Sequence, residues 1–315
     1  MKRIAAIDIG SQTIRLLIAD CDAEFLYPLE RAREIVQLGS SMRANALSAH
    51  RIEHATACIQ RFCTQAREKN VEEILTVATA CVRQAQNKLD FTSRVHQATG
   101  ISPAIISGQQ EALLSRAGVQ AVLPTDALDT IIIDIGGGST ELSFLTSGRF
   151  ESSVSLPLGV IAPTEQFMRS DPPTNAEIES IRTWIDAIIS SCSAELPLPK
   201  PSITPTIIAT AGTATSLAAM DIKLCDYLPA RINGHILTRE TITSLFETML
   251  RLPQPQRSQL AGLEPGRATV IIPGALILLH LLRYFDCTAC AVSDAGLLEG
   301  IIIHHASLKK IIEKT

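Results

Sequence analysis

Two short stretches of this sequence combine an acidic residue, glycine and hydroxyl groups in the same order. The first reads IAAIDIGSQTIRLLI and contains Asp8, and the second reads TIIIDIGGGSTELSF and contains Asp134. Glycines directly after a strand let the backbone turn with its N–H groups pointing inward, which forms a concavity that binds phosphate oxygens. An aspartate at the strand end suits Mg²⁺, which bridges one or two carboxylates to phosphate. The two stretches therefore predict a pair of loops that bind phosphate and metal.

The second stretch is the more specific of the two. A plain turn between strands would explain a single Asp-x-Gly, but three successive glycines lose much backbone entropy on folding. No Gly-Lys-Ser/Thr sequence follows either stretch, so neither is a Walker phosphate loop. Hydroxyl groups in the stretches supply further donors of suitable length, and they belong to Ser11, Thr13, Ser139 and Thr140.

The elements around these loops alternate between apolar strands and amphipathic helices, which predicts an α/β fold with largely buried sheets. Each half opens with three strands, predicted at 2–9, 14–20, 24–36, 129–134, 141–147 and 150–156. Helices are predicted near 48–69, 89–98, 109–120, 160–169, 174–194, 213–219, 238–250, 268–284 and from 296. Further strands are predicted at 73–78, 103–107, 206–210 and 288–292, and a proline-rich surface loop at 196–206.

The repeated strand pattern indicates an internal duplication. With 315 residues, of which 46% are hydrophobic, the chain is long enough for two cores. We predict an N-terminal domain over residues 1–123 and a C-terminal domain over 124–315, and the helix from about 298 is a candidate to pack on the first domain. A cleft between the domains is the expected ligand site, because pockets favour domain interfaces.

Composition excludes several classes of partner. The net charge of −4 provides no strong basic field for nucleic acid or an acidic membrane surface. The longest apolar segments are too short to span a membrane, and charged residues interrupt the N-terminal stretch before signal-peptide length. We therefore expect a cytoplasmic protein. Its eight cysteines predict free thiols, and Cys287 and Cys290 fit a buried strand better than a redox or zinc site.

The two loops resemble the phosphate motifs of the actin, Hsp70 and sugar-kinase superfamily, whose domains are duplicated ribonuclease H-like folds. Within it, the chain resembles the exopolyphosphatase and guanosine pentaphosphate phosphatase (Ppx/GppA) family over essentially its whole length. Further segments match in family order: VATACVRQAQN, IISGQQEALLSRAGV, SLPLGVIAPTEQF, IIATAGTATSLAAM, NGHILT, GLEPGRATVIIPGALIL and VSDAGLLEG. The resemblance implies an α/β protein of two ribonuclease H-like, actin-like ATPase domains with a cleft between them.

The resemblance also implies roles for individual residues. Glu111 matches the acid that activates or positions the attacking water, and Arg83 matches an arginine that contacts phosphate. Asp134 and Glu141 match positions that bind metal, and Asp8 is the corresponding acid of the other domain. The predicted phosphate-binding residues are Gly10, Ser11, Gln12, Thr13, Arg15, Gly136, Gly137, Gly138, Ser139, Thr140, Gly212, Thr213 and Arg267.

Residue chemistry alone leaves simpler interpretations open. Glu111 could be a first-turn glutamate that interacts with the helix dipole, and Arg83 an ordinary helix-surface arginine. A structural pairing at a helix start explains Arg267 about equally well. The chain also departs from the family pattern at several positions. It has Gln12-Thr13 in place of Asn-Ser, and Gln110 where an acid is common. Leu113 and Leu298 stand where many members carry arginine.

The expected activity is hydrolysis that releases terminal orthophosphate from inorganic polyphosphate, with Mg²⁺ or another divalent cation such as Mn²⁺ as cofactor. Phosphoryl transfer requires mainly positioning and charge stabilisation, which the loops, a metal, an arginine and a water-orienting acid provide. Hydrolysis of guanosine pentaphosphate is the nearest alternative. A kinase of the same superfamily and a non-catalytic polyphosphate or nucleotide sensor are more distant alternatives. No nucleic-acid or membrane partner is expected, and a homodimer is left open.

Overall fold

The alternation of strands and helices in the sequence produces two separate sheets, each packed against helices. The computed structural model describes residues 1–22, 25–42, 44–123, 125, 129–196 and 204–312, with the backbone alone over 308–312. Most of the predicted proline-rich loop at 196–206 lies outside the described residues. The chain divides into a first unit, Met1–Ala121 with the segment from Gly296, and a second unit, Val122–Ala295.

The strands are β1 (Lys2–Ile9), β2 (Thr13–Cys21), β3 (Leu26–Ile35), β4 (Glu73–Ala78), β5 (Ala104–Ile105), β6 (Thr130–Ile135), β7 (Thr140–Thr146), β8 (Arg149–Leu156), β9 (Thr206–Thr210), β10 (Ile236–Thr238) and β11 (Ala289–Val292). The helices are α1 (Ala49–Glu68), α2 (Ala80–Gln84), α3 (Lys88–Thr99), α4 (Gly108–Gln120), α5 (Ile161–Phe167), α6 (Asn175–Ser191), α7 (Ala211–Asp221), α8 (Pro229–Ile232), α9 (Arg239–Leu250), α10 (Gln254–Arg257), α11 (Ile271–Tyr284) and α12 (Leu297–Ile312).

The predicted strands and the longer predicted helices are confirmed to within a few residues, and β5 is shorter than predicted. The short helices α2, α8 and α10 and the strand β10 were not predicted, because one turn of helix or three residues of strand show no periodicity. All eight cysteines are described and free, with Cys287 and Cys290 buried as expected. No helix of the described ranges is long and apolar enough to cross a membrane.

The sheet of the first unit has the strand order β3-β2-β1-β4-β5. One face packs against α1 and α3 through residues such as Ile7 and Leu16. The other face, which includes Ile4 and Leu17, packs against α4 and α12. Burial on both faces explains why β1 and β2 read as continuous apolar runs in the sequence.

The sheet of the second unit has the order β10-β11-β9-β6-β7-β8 and repeats this topology. Three antiparallel strands, β6 to β8, correspond to β1 to β3, and β9 runs parallel to β6 as β4 does to β1. The predicted internal duplication is therefore confirmed at the level of topology. In both units the turn between the first two strands carries one of the glycine loops.

Helix α12 packs on α4 within the first unit, through glycines that allow the backbones to touch. A Cβ at Gly300 would lie 1.7 Å from the carbonyl oxygen of Leu114, and one at Gly118 would lie 1.9 Å from that of Gly296. Only glycine allows so close an approach. The contact holds the C-terminal segment against the helix that begins near Glu111.

Candidate active site

The first loop connects β1 to β2 through a tight turn. The Gly10 N–H donates a hydrogen bond of 3.1 Å to the Thr13 carbonyl oxygen. A Cβ at Gly10 would lie 2.8 Å from that oxygen, so a side chain would break the turn. The turn follows Asp8, which is buried near the end of β1 with an exposed fraction of 3%. An acid and a bare backbone thus lie next to each other, as the sequence predicts.

The second loop, between β6 and β7, repeats this turn. The Gly136 N–H donates a hydrogen bond of 2.9 Å to the Ser139 carbonyl oxygen, and a Cβ at Gly136 would lie 3.0 Å from it. Asp134 stands two residues before Gly136, as Asp8 stands two residues before Gly10. The duplication therefore extends to the hydrogen bond that closes each loop.

In each unit, the segment after the third strand holds the carbonyl groups of the loop. In the first unit, the Gly39 N–H donates to the Ser11 carbonyl at 2.8 Å. The N–H groups of Val36 and Gln37 donate to the Gln12 carbonyl at 3.1 and 2.9 Å. These bonds fix the carbonyl side of the loop within the unit.

In the second unit, the start of α5 donates the corresponding hydrogen bonds to the loop carbonyl groups. The Val160 N–H donates to the Gly136 carbonyl at 3.2 Å, and the Ile161 N–H donates to the Gly137 carbonyl at 3.0 Å. A Cβ at Gly159 would lie 2.4 Å from the Gly137 carbonyl oxygen, so the loop can rest on this segment only because Gly159 has no side chain. Unbonded N–H groups at a helix start are natural donors, and here they bind the loop.

Several polar groups of the loops have no protein partner within the described residues. They include the N–H groups of Gly137 and Gly138. The buried side-chain atoms are both ends of the Gln12 amide, the Thr13 hydroxyl and the Oδ1 atom of Asp8. Buried polar atoms normally have hydrogen-bond partners, so the unsatisfied side-chain atoms of the first loop point to a ligand of that loop. N–H groups and a hydroxyl are the donors that a phosphate would use.

The hydroxyls of the second loop, in contrast, are engaged within the protein. Ser139 Oγ donates to Glu141 Oε1 at 2.7 Å, and Thr140 Oγ1 donates to the Leu158 carbonyl oxygen. Thr140 is fully buried. Burial and near acceptors direct both side chains into the unit, so a phosphate bound by either hydroxyl would compete with these hydrogen bonds.

Two predicted phosphate contacts of the first loop also have partners in the protein. Arg15 donates to Asp8 Oδ2 from Nε at 3.0 Å and from Nη2 at 2.7 Å. The Ser11 hydroxyl lies in hydrogen-bonding contact with the thiol of Cys81, whose pKa is raised by burial to about 11. Any phosphate bound by Arg15 or Ser11 would compete with these interactions.

The acids predicted to bind metal differ between the units. Asp134 and Glu141 are direct cross-strand partners, so both carboxylates lie on one face of the sheet. In the first unit, the partner of Asp8 is Arg15, which neutralises it. No three metal-binding side chains cluster in the part of the chain that the structure describes, but Mg²⁺ needs only one or two carboxylates beside phosphate and water. The pair in the second unit fits such an ion better than Asp8 does.

Glu111 and Arg83 are brought together in the first unit. Helix α4 begins with a capping box between Ser107 and Gln110, which places Glu111 in the first turn. Arg83 Nη1 donates to Glu111 Oε2 at 3.0 Å and to the Ile106 carbonyl at 2.9 Å. Glu111 is buried, with an exposed fraction of 8%. Arg83 is thus no isolated surface arginine, and the pair fixes the direction of a buried carboxylate.

Gly212, one of the predicted phosphate-binding residues, lies at the start of α7 against the side chain of Arg267. A Cβ at Gly212 would lie 1.8 Å from Nη1 of Arg267, so the guanidinium rests on the bare backbone. Arg267 Nε also donates to Glu264 Oε2 at 3.1 Å, which is the structural pairing left open by the sequence. The Thr213 side chain lies against Gly274 of α11. Its hydroxyl therefore faces the packing between α7 and α11.

Two residues of the site were missed at the level of sequence. Gly159 supports the second loop, and Ser155 donates from Oγ to Glu141 Oε1 at 2.7 Å. Both belong to the segment SLPLGVIAPTEQF, whose match to the family was the available signal. Nothing in the residue types themselves distinguishes this glycine and this serine from those of an ordinary loop and strand.

The chain resembles proteins of one family in sequence and in fold. The model of the Ppx/GppA phosphatase family matches residues 17–309. Exopolyphosphatase 2 of Mycobacterium tuberculosis is 29% identical over 96% of this chain and 98% of that protein. The Ppx/GppA family member of Aquifex aeolicus is 32% identical, with 98% of each chain covered and a TM-score of 0.80.

An exopolyphosphatase from Cytophaga hutchinsonii has a TM-score of 0.87 over 97% of this chain and 98% of its own, at 22% identity, which supports the fold alone. The mixed α/β architecture with two sheets is that of the Ppx/GppA proteins, as the resemblance implied. Because the family model spans nearly the whole chain, the protein belongs to the Ppx/GppA phosphatase family and is a phosphohydrolase.

Proposed function

We propose that the protein is an exopolyphosphatase, which hydrolyses the terminal phosphoanhydride bond of inorganic polyphosphate and releases orthophosphate. The observation that carries the proposal is the buried carboxylate of Glu111, held 3.0 Å from Nη1 of Arg83 at the start of α4. The name exopolyphosphatase of the Mycobacterium tuberculosis relative supports the choice of substrate. The chemistry needs an oriented water, a stabilised leaving group and bound phosphates.

Glu111 is the proposed general base. A carboxylate within hydrogen-bond reach of a water can take its proton as the water attacks phosphorus. Among the described residues, Arg83 uses only Nη1 in its bonds to Glu111 and to the Ile106 carbonyl. Its Nε and Nη2 groups are proposed to contact the transferring phosphoryl group, where a fork of donors stabilises developing negative charge.

The loops are proposed to bind phosphate groups through their backbone. The N–H groups of Gly137 and Gly138 and the side chains of Gln12 and Thr13 are the donors that the protein leaves unsatisfied in its described part. Asp134 and Glu141 are proposed to hold a divalent cation, Mg²⁺ or Mn²⁺, which would supply positive charge to phosphate oxygens. Arg267, beside Gly212, is proposed as a further phosphate contact.

Guanosine pentaphosphate remains the alternative substrate, since the same residues could release its terminal phosphate. Phosphate release in the absence of ATP would exclude an obligate kinase. Any phosphate release by the protein would exclude a non-catalytic sensor. A cytoplasmic location and a homodimer stay predictions from the sequence.

The proposal is tested by measuring phosphate release from polyphosphate and from guanosine pentaphosphate, each with Mg²⁺ or Mn²⁺ and with excess chelator. The variant Glu111→Gln keeps the size of the side chain and removes the base. We expect it to lower the turnover rate by about 10²- to 10⁴-fold, while polyphosphate still binds. Chelation should abolish release by the unaltered protein.

The matched control is Glu53→Gln, the same change at an exposed glutamate of α1, which should leave turnover within about twofold. Near-normal turnover by Glu111→Gln would refute its role. Faster release from guanosine pentaphosphate at equal concentration would favour the alternative substrate, and binding without turnover would favour a sensor.

A further inference from the structure

We propose that Ser155, on β8, is a positioning residue that orients the Glu141 carboxylate toward the divalent cation. The inference rests on the proposed role of Glu141 in holding that cation. Ser155 Oγ donates a hydrogen bond of 2.7 Å to Glu141 Oε1, and Ser139 Oγ donates to the same oxygen at 2.7 Å. Glu141 is buried, with an exposed fraction of 2%. Two hydroxyl donors on one buried oxygen determine how the carboxylate is rotated.

The strand register explains why Ser155 reaches this carboxylate. Asp134 of β6 is the partner of Glu141 on β7, and Glu141 is the partner of Ser155 on β8. The three residues therefore form one row across three adjacent strands, on one face of the sheet. Ser155 lies at the outer end of this row and fixes Glu141 from the side opposite to Asp134.

The first unit provides an internal comparison. The equivalent row there is Asp8, Arg15 and Arg33, one residue from each of β1, β2 and β3. That row carries one acid and two arginines, whereas the row of the second unit carries two acids and a hydroxyl. Only the second row has the negative charge that attracts a cation. A serine donates a hydrogen bond to Glu141 as a neutral group and leaves the negative charge of the carboxylate in place. An arginine at this position would cancel that charge.

The expected effect follows from the geometry of hydrogen-bonded metal ligands. Groups that hydrogen-bond a ligating carboxylate fix its orientation, and their loss typically weakens metal binding by about 10- to 100-fold. Ser155→Ala removes one of the two donors and leaves the backbone of β8 unchanged. The bond from Ser139 would remain, but the carboxylate would lose the donor that holds it from the side of β8.

The test measures Mn²⁺ binding to the protein without substrate, from the electron paramagnetic resonance signal of free Mn²⁺. We expect Ser155→Ala to raise the Kd by about 10- to 100-fold and Ser155→Thr, which keeps the hydroxyl, to restore it. The control is Ser153→Ala, on the same strand and the same face but opposite Ser143. It should leave the Kd within about twofold. Unfolding followed by Trp184 fluorescence should be the same for all variants.

A companion variant, Glu141→Gln, separates the two levels of the inference. If Glu141→Gln loses Mn²⁺ binding and Ser155→Ala binds it normally, the role of Ser155 is refuted while the metal role of Glu141 stands. If Glu141→Gln also binds Mn²⁺ normally, or the unaltered protein does not bind it, the inference fails together with the proposed cation site. The hydrolytic role of Glu111 is tested separately by phosphate release.

Discussion

Single residues show that the duplication kept the loop backbone and changed the charges around it. Gly10 and Gly136 close the two loops with the same hydrogen bond. Beside them, Asp8 is neutralised by Arg15, whereas Asp134 has Glu141 as its cross-strand partner. Two like charges at directly opposite positions of neighbouring strands are destabilising unless an opposite charge or a bound cation compensates them. The two loops are therefore suited to different tasks, and the cation is proposed for the second.

The contact between Gly212 and Arg267 leads to a prediction about these two residues. Because a Cβ at Gly212 would meet the guanidinium at 1.8 Å, Gly212→Ala should displace the end of this flexible side chain without unfolding α7. If the guanidinium binds phosphate, Gly212→Ala and Arg267→Ala should each raise the KM for polyphosphate by about 10-fold, since a hydrogen bond to a charged group contributes about 1.5 kcal/mol or more.

Steady-state kinetics of the double variant complete this test. Since both changes remove the same contact, their effects should not add, and the double variant should have the KM of either single one. Arg251→Ala, at an exposed arginine after α9, is the control. An unchanged KM in all variants would refute a phosphate contact of Arg267 and favour a structural role such as its pairing with Glu264.

Whole elements explain how the loops present their N–H groups. In both units, a segment following the third strand donates backbone hydrogen bonds to the loop carbonyls, from Gly39 and Gln37 in one case and from Val160 and Ile161 in the other. A peptide group whose carbonyl is held on one side directs its N–H to the other. Gly159 makes this possible in the second unit, because a side chain there would push the loop away.

Helix α6 provides a pH-dependent prediction at the same scale. Its capping box is closed by Glu177, whose pKa is lowered to about 2, first by the hydrogen bond from the Thr174 N–H and then by those from Arg169 and Ser170. In the unfolded chain, the pKa of glutamate is about 4.3. The stability from Glu177 is therefore fully present above about pH 4.3 and is lost as the pH falls toward 2.

We expect Glu177→Gln to lower the free energy of unfolding by about 1 kcal/mol at pH 6, and by less at pH 3, because that pH lies below the unfolded pKa of glutamate, where the unfolded chain already binds the proton and part of the stability from Glu177 is lost. Urea unfolding followed by the single tryptophan, Trp184 of α6, measures both values. Glu179→Gln on the same helix is the control, because this exposed glutamate pairs only with Arg182 among the described residues. A difference that stays constant between the two pH values would contradict the prediction.

At the scale of the whole molecule, the chain completes its first unit only at its C-terminal end. After the second unit ends at Ala295, α12 returns to pack on α4, which also carries Glu111. The buried carboxylate of Glu299, at the start of α12, pairs with Arg31 of β3 at 2.6 Å. The helix that bears the proposed catalytic base is thus supported by the last helix of the chain.

This packing predicts a large effect of one methyl group. Gly300→Ala would place a Cβ 1.7 Å from the Leu114 carbonyl oxygen, so α12 must move away from α4. Overpacking of this kind costs about 1–3 kcal/mol. We expect faster amide hydrogen exchange in both helices, measured by mass spectrometry, and a lower turnover rate because Glu111 lies on α4.

The control for this change is Ser307→Ala, at an exposed position of α12, which should leave exchange in α4 as it is in the unaltered protein. Normal exchange in α4 after Gly300→Ala would show that the crossing of the helices tolerates a side chain.

Much of the fold could be predicted from the sequence because its signals are local. Strands such as Glu73–Ala78 and Thr206–Thr210 were located to the residue, since apolar periodicity and turn residues suffice for that. The duplication, the positions of both loops and the first-turn location of Glu111 were equally readable. Short elements such as Ala80–Gln84, which carries Arg83, left no periodic pattern.

The sequence by itself determined the order of elements, the two glycine loops and the acids beside them. Only the tertiary structure decided which partner each polar atom has. In the folded chain, the hydroxyls of Ser139 and Thr140 donate hydrogen bonds within their unit. Arg15 forms an ion pair with Asp8, and Ser155 donates a hydrogen bond to Glu141. The reason is physical: periodicity along the chain is a local property, whereas hydrogen-bond partners are set by strand register and by backbone contacts between distant segments.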